Sequence, residues 1–371
     1  MKIILLSSFI FVGLSLSSCT KEEIPQPESR CEESYTSHPN NSLYSAFLDN
    51  YVSANQAPGS ILGIKKWNEP AWVGSYGQSN IETGTYMTPC TPFRTGSVTK
   101  MFTAVVVMKL VEEGKFTLET TLTQLLPEMN GNIPQAGSIT VRQLLNHTSG
   151  LKQPTDDDVR YQTSLINNPD DIGNMDAGER LENYIYDNEL KNQPGAGCYY
   201  SNAGYWMLQL IIEKITGHTL QQKMEEIIFQ PLLMHDTYLE RRDDTNVSRG
   251  YNFSGNKLMD VSQWDRADSD GDPAAGIIST ASDLLKFGEA LFTNQILSEE
   301  SLAEMKITIC DFGLGMESWV TEEGNSGYGK NGSSLGVDAN LIYFPENEIA
   351  IVIFSNFGGG NYKQVIDEIL E

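Results

Sequence analysis

The chain is poor in histidine, in cysteine and in positive charge. Its 371 residues include 4 histidines and 5 cysteines, and 25 Lys and Arg stand against 49 Asp and Glu, a formal net charge of −24. No histidine lies four residues from another and no Cys/His spacing matches a zinc site; the side-chain chemistry read from the motifs below needs neither a metal nor an organic cofactor. The deficit of cations argues against nonspecific nucleic-acid binding, which depends on positive charge near phosphates. It leaves the substrate open, because a local pair of lysines makes a cationic pocket even in an acidic protein. The mostly apolar segment Ile3–Leu16 is too short and too rich in serine to span a bilayer. Apolar residues make up 40% of the chain, enough for a sizeable core.

The beginning of the chain reads as an export signal over residues 1–18, with Lys2 as its positive end. Leu16-Ser17-Ser18-Cys19 resembles the lipobox of bacterial lipoproteins, which implies cleavage before Cys19 and lipid on its sulfur. An ordinary signal peptide is the alternative. Thr20-Lys21-Glu22-Glu23 is similar to the acidic tag of surface-exported lipoproteins. The expectation is therefore an exported protein of the cell envelope, held to a membrane through Cys19. Residues 19–40, rich in Glu, Ser, Pro and Asn, read as a tether. Outside the cytoplasm Cys31, Cys90, Cys198 and Cys310 can pair in three ways, or remain buried thiols.

From residue 41 onward the pattern is organised. Leu43, Tyr44, Phe47, Leu48 and Tyr51 mark a helix over 41–54, and two short strands follow over 61–67 and 71–76. Between about 97 and 292 helices and long loops dominate. Residues 98–113 form an apolar helix stopped by Gly114, and 141–145 a short one. Met207, Leu210, Ile211 and Ile215 line a helix that ends at Gly217, and 283–292 is a helix capped by Ser282 or Thr280. Strand character returns from Phe312. Residues 340–344 and 349–355 predict a hairpin across Pro345-Glu346-Asn347-Glu348, and 362–370 a closing helix. Strands at both ends around a helical middle imply an α+β fold: one antiparallel sheet flanked by terminal helices, with the helical region inserted as a second lobe. A site between the two is expected.

Three short motifs carry chemistry. Ser97-Val98-Thr99-Lys100 opens an apolar helix, and residues three apart share a helix face. A neutral amine beside a hydroxyl can take its proton, which makes serine a nucleophile without histidine. Tyr200-Ser201-Asn202 and Lys330-Asn331-Gly332 follow in the order found in serine β-lactamases and penicillin-recognising peptidases. Phe93-Arg94-Thr95-Gly96, Leu144–Leu151, Pro194-Gly195, Ala275-Gly276 and Ser279–Leu284 are similar to the same group. Over roughly 41–371 the chain resembles the β-lactamase-related serine hydrolases, in the branch of class C β-lactamases, D-alanyl-D-alanine carboxypeptidases and related esterases.

The resemblance implies Ser97 as nucleophile, Lys100 beneath it with its proton displaced by burial, and Tyr200 as general base or proton relay. Asn202 would hold Lys100 and meet a substrate amide, or simply cap the helix 203–216. Lys330 would hold a substrate carboxylate and lower the Tyr200 pKa, Gly332 would let substrate backbone approach, and Ser333 would supply the second oxyanion N–H. Asn331 departs from the usual Thr or Ser. The expected activity is acyl-enzyme hydrolysis of an amide or ester, of the D-alanyl-D-alanine peptidase or β-lactamase type. A carboxylesterase or a non-catalytic penicillin- or peptide-binding lipoprotein is the alternative. Asp268-Ser269-Asp270-Gly271-Asp272 reads as an acidic loop in preference to a calcium loop, Asp156-Asp157-Asp158 reads as a solvated loop, and His147 as structural.

Overall fold

The computed structural model describes residue 31, residues 34–242 and residues 244–371. The expected export signal and Cys19 lie outside the described residues. The core is a seven-stranded antiparallel sheet in the order β3-β2-β1-β11-β10-β9-β8. Its N-terminal strands are β1 (Gly59–Lys66), β2 (Trp72–Asn80) and β3 (Thr85–Tyr86). Two small ribbons lie outside this sheet. One pairs β4 (Phe93–Arg94) with β7 (Ile278–Ser279), and the other pairs β5 (Tyr251–Ser254) with β6 (Lys257–Asp260). The C-terminal strands are β8 (Glu317–Val320), β9 (Ser326–Ser333), β10 (Asp338–Phe344) and β11 (Ile349–Ser355). β11 lies against β1, with Ile64 opposite Ile351 and Leu62 opposite Ile353. The two ends of the chain thus build the sheet together, as the α+β expectation requires.

The central strands are covered on both faces, so they read as unbroken apolar runs rather than alternating ones. Every residue of β11 is buried. Helix α1 (Asn41–Asn55) packs on β1, β2 and the closing helix Lys363–Leu370, while the helix Ala281–Phe292 lies on β1, β10 and β11. The side chain of Thr280 caps that helix by accepting from Asp283 N, which decides between the two candidate caps. Helix α2 (Thr99–Glu112) is buried on all sides through its first ten residues, as its apolar run predicts.

Several boundaries moved for physical reasons. The expected helix 98–113 begins as a 3-10 turn, Gly96–Val98, so Ser97 precedes the α-helix proper. The helix Ala203–Thr216 buries Tyr205, Trp206, Met207, Leu208, Ile211 and Ile212, while Ile215 is 37% exposed. It packs at once on α2 and on the helices Val141–Leu145 and Ala177–Tyr184, which needs more than one apolar stripe. Disulfides join Cys31 to Cys90 and Cys198 to Cys310.

The solvated reading of 156–158 holds only for Asp156, which is exposed, and the acidic stretch 268–272 is drawn into the protein. Asp270 accepts two hydrogen bonds from Arg94, at 2.8 and 3.1 Å, and Asp272 accepts from Arg180 at 2.9 Å and from the Trp206 indole at 2.5 Å. Both aspartates are buried. In the other stretch Asp158 caps the helix Val159–Asn167 and Asp157 binds Lys191 and Tyr199. A sequence shows a charge run but not the arginines, 90 or more residues away, that draw it inside.

Candidate active site

Three distant segments meet at Ser97. The 3-10 turn places its Oγ 2.7 Å from Tyr200 Oη and 3.0 Å from Lys100 Nζ. Lys100 lies one helical turn further on and is fully buried. Its amine also reaches Asn202 Oδ1 at 2.8 Å and the Ala274 carbonyl at 3.0 Å. Asn202 therefore turns its side chain to Lys100 and makes no cap bond to the helix it precedes. Its backbone N–H donates to Gln153 Oε1 at 2.8 Å.

Tyr200 stands on a bed of rings. Its ring centroid is 4.2 Å from that of His147 and 5.8 Å from that of Phe312. His147 Nδ1 accepts from Ser201 N at 3.2 Å, which ties the tyrosine segment to the bed. Burial, then Lys100 and Lys330, hold the imidazole pKa well below its usual value, so His147 is a neutral support.

Lys330 lies on β9 with Nζ 5.2 Å from the Tyr200 ring centroid. Its ammonium is ion-paired with Glu317, the first residue of β8. Asn331 sits beside it, half-buried and opposite Asn340. At Gly332 the close neighbour is the chain's own backbone: a Cβ there would lie 2.0 Å from the Thr95 carbonyl and 2.6 Å from Ser97 N. A Cβ on Gly96, which has φ +51°, would lie 3.3 Å from Ser333 N. Two glycines thus bring the amides of Ser97 and Ser333 onto adjoining pieces of backbone, where two N–H groups can face one oxygen.

The charges interlock. Burial lowers the Lys100 pKa and Lys330 lowers it further, favouring the neutral amine. Burial alone would raise the Tyr200 phenol. The two lysines and the hydrogen bonds from Lys100 and Ser97 outweigh it and bring the phenol below its usual range. Ser97, Lys100 and Tyr200 so form a short proton-sharing chain, and their titrations belong to the group rather than to single residues.

The crevice above Ser97 encloses about 270 Å³ and is lined by Tyr200, Asn202, Gln153, Asp156 and Ser333 among others. A wider groove of about 660 Å³ continues from it through Thr155, Asp156 and Asp268, walled by Leu165, Ile166, Phe253, Trp264 and Leu335. No group of His, Cys, Asp or Glu that could hold a metal occurs among the described residues. Gln153, Glu317 and the Ala274 carbonyl did not emerge from the sequence. Ala274 adjoins the quoted Ala275-Gly276 pair, whereas Gln153 and Glu317 carry no local signal.

The beta-lactamase family model matches residues 45–370. Penicillin-binding protein 4 of Amycolatopsis lactamdurans is 25% identical over 301 residues, covering 74% of this chain and 75% of that protein. Protein flp of Staphylococcus aureus (strain MRSA252) is 25% identical over 64% of this chain and 46% of its own length, so the chain spans about half of that relative. Among solved structures, a D-stereospecific amidohydrolase from Streptomyces sp. superposes with a TM-score of 0.76 at 26% identity, covering 87% of this chain and 97% of that one. A D-amino acid amidase from Ochrobactrum anthropi SV3, complexed with L-phenylalanine amide, gives 0.76 at 25% identity, covering 89% and 96%. A match over nearly the whole sheet-and-helix domain, with the serine, tyrosine and lysine motifs drawn to one point within it, places the chain in the beta-lactamase family.

Proposed function

We propose that the chain is a serine hydrolase that cleaves an amide or ester by forming an acyl-enzyme on Ser97. The observation that carries this reading is the Ser97 hydroxyl held between Tyr200 Oη, at 2.7 Å, and Lys100 Nζ, at 3.0 Å. As Oγ attacks the carbonyl carbon, its proton passes to the neutral Lys100 amine or to the Tyr200 oxygen. The carbonyl oxygen takes up the electron pair and sits against the Ser97 and Ser333 amides. Collapse of this intermediate expels the leaving group, which recovers the proton from the same pair. Water then enters with the roles reversed and releases the acid from Ser97. Amides of D-configured residues, including D-alanyl peptides, are the proposed substrates, supported by the relatives named for D-stereospecific amidohydrolase and D-amino acid amidase. β-Lactam rings present the same acyl chemistry. A carboxylesterase is the second reading, favoured by the apolar walls of the adjoining groove.

A panel of a D-alanyl peptide, a D-amino acid amide, a β-lactam and a short-chain ester tests the reading. Turnover of at least one, lost in Ser97→Ala, supports a hydrolase. Stable acylation of Ser97 with no turnover points instead to a penicillin-binding role, and absence of both rejects the proposal. We further propose export and lipidation on Cys19 in the cell envelope. Mass spectrometry of the protein from its native membrane tests this, and an unmodified Cys19 refutes it.

A further inference from the structure

The family resemblance assigns Lys330 to a carboxylate on the leaving group, yet its charge is already answered within the protein. Glu317 opens β8 opposite Gly329, and its side chain reaches the next residue of β9, Lys330. The lysine side chain is 4% exposed and the glutamate 16%, so water screens this pair weakly. The other basic groups near the reacting hydroxyl are engaged as well. Lys100 is buried against three oxygen acceptors. Arg94, the only cation among the described residues lining the crevice, gives two hydrogen bonds to Asp270. The crevice also presents carboxylates, with Asp156 exposed at the point where it meets the apolar groove. A crevice whose basic groups, among the described residues, are already engaged and whose rim is acidic holds an anionic leaving group poorly. A substrate carboxylate would have to displace Glu317 from Lys330, which leaves a partly buried carboxylate without its partner.

We propose that Glu317 is a specificity-determining residue that neutralises Lys330 and directs the site to amides and esters whose leaving group carries no carboxylate. The inference rests on the hydrolase reading above and narrows it, from peptides with a free C-terminal acid towards amides and esters with an uncharged or basic leaving group. Glu317 touches Lys330 rather than the reacting atoms, so it acts through the lysine.

Two measurements test this. In the first, unmodified protein is treated with a fluorophosphonate that labels Ser97, with D-Ala-D-Ala or its C-terminal amide as protectant. The amide protects at roughly tenfold lower concentration than the free acid, a ratio of the size expected when a charge meets an already neutralised site. Equal protection, or better protection by the acid, overturns the inference. In the second, Glu317→Gln is compared with the unmodified protein for acylation by a fluorescent penicillin, which bears a carboxylate, and by a neutral p-nitrophenyl ester. The variant gains roughly tenfold for the penicillin and changes little for the ester, and Glu317→Asp keeps the original preference. A merely structural role predicts that both reagents change by the same factor, which would overturn the assignment. Failure of every reagent to label Ser97 refutes the underlying hydrolase reading and the inference with it, an outcome distinct from labelling without discrimination.

Discussion

In the proposed reaction Ser97 depends on Lys100 and Tyr200, whose coupled pKa shifts are both downward. A neutral Lys100 amine and a Tyr200 oxygen able to accept a proton are both lost as pH falls, so activity should fall on the acid side of a pH profile of kcat/KM. Lys330→Met removes a cation that favours the Tyr200 phenolate, which raises the phenol pKa. Its acid limb should move to higher pH, as a profile with a neutral ester would show. Tyr200→Phe keeps the packing on His147 and Phe312 and removes only the oxygen 2.7 Å from Ser97, so kcat should fall by roughly 10²- to 10⁴-fold with the fold intact by circular dichroism. Another residue sets stability rather than chemistry. Burial raises the Asp265 carboxyl from its ordinary 3.8 to about 6. The folded state then disfavours the charged form, and the cost grows between those two values and is complete above about pH 6. Asp265→Asn should gain on the unmodified protein by about 2–3 kcal/mol more at pH 8 than at pH 4, read from urea unfolding at both.

At the scale of elements the site depends on β9 lying against the turn that carries Ser97. Gly332→Ala would put a methyl group 2.0 Å from the Thr95 carbonyl, and backbone cannot yield as a side chain can. The strand must draw back, separating the Ser97 and Ser333 amides. The expected result is a loss of about 1–3 kcal/mol in stability with a larger loss in kcat than in KM. Asp272 fixes a second element, since it accepts from Arg180, from Trp206 and from Ala274 N, next to the carbonyl that receives Lys100. Asp272→Ala leaves Arg180 buried without that partner and should cost about 3–5 kcal/mol in urea unfolding. Elements defined by local pattern were legible: the apolar run of α2 and the β10–β11 hairpin appear close to where the sequence set them, and Thr280 is one of the two caps it offered. The burial of Asp270 and Asp272 was not legible, because the arginines that neutralise them arrive from β4 and from the helix Ala177–Tyr184. Glu317 was hidden for the same reason, being one of many glutamates until the register of β8 on β9 sets it beside Lys330.

For the whole molecule, the sheet order makes completion late. β11 lies between β1 and β10, so the N-terminal strands have no central partner until the last strands are in place. A chain ending before residue 349 should fail to give a cooperative thermal transition. The disulfides close loops of 59 and 112 residues, and opening the Cys31–Cys90 link with a double alanine substitution should cost about 2–4 kcal/mol, read as a lower urea midpoint. The fold class could be read from strands bracketing a helical middle, and the meeting of Ser97, Lys100, Tyr200 and Lys330 from the family resemblance that their motifs carry. Disulfide pairing could not, since four cysteines carry no mark of which two share a wall.

The most direct test of the whole account is the site of covalent labelling. The protein is treated with a fluorophosphonate, digested and mapped by mass spectrometry, beside Ser97→Ala and Tyr200→Phe. A single adduct on the peptide holding Ser97, absent in Ser97→Ala and slowed at least about 100-fold in Tyr200→Phe, is the predicted result. An adduct on another residue, or equal labelling of all three proteins, would contradict it.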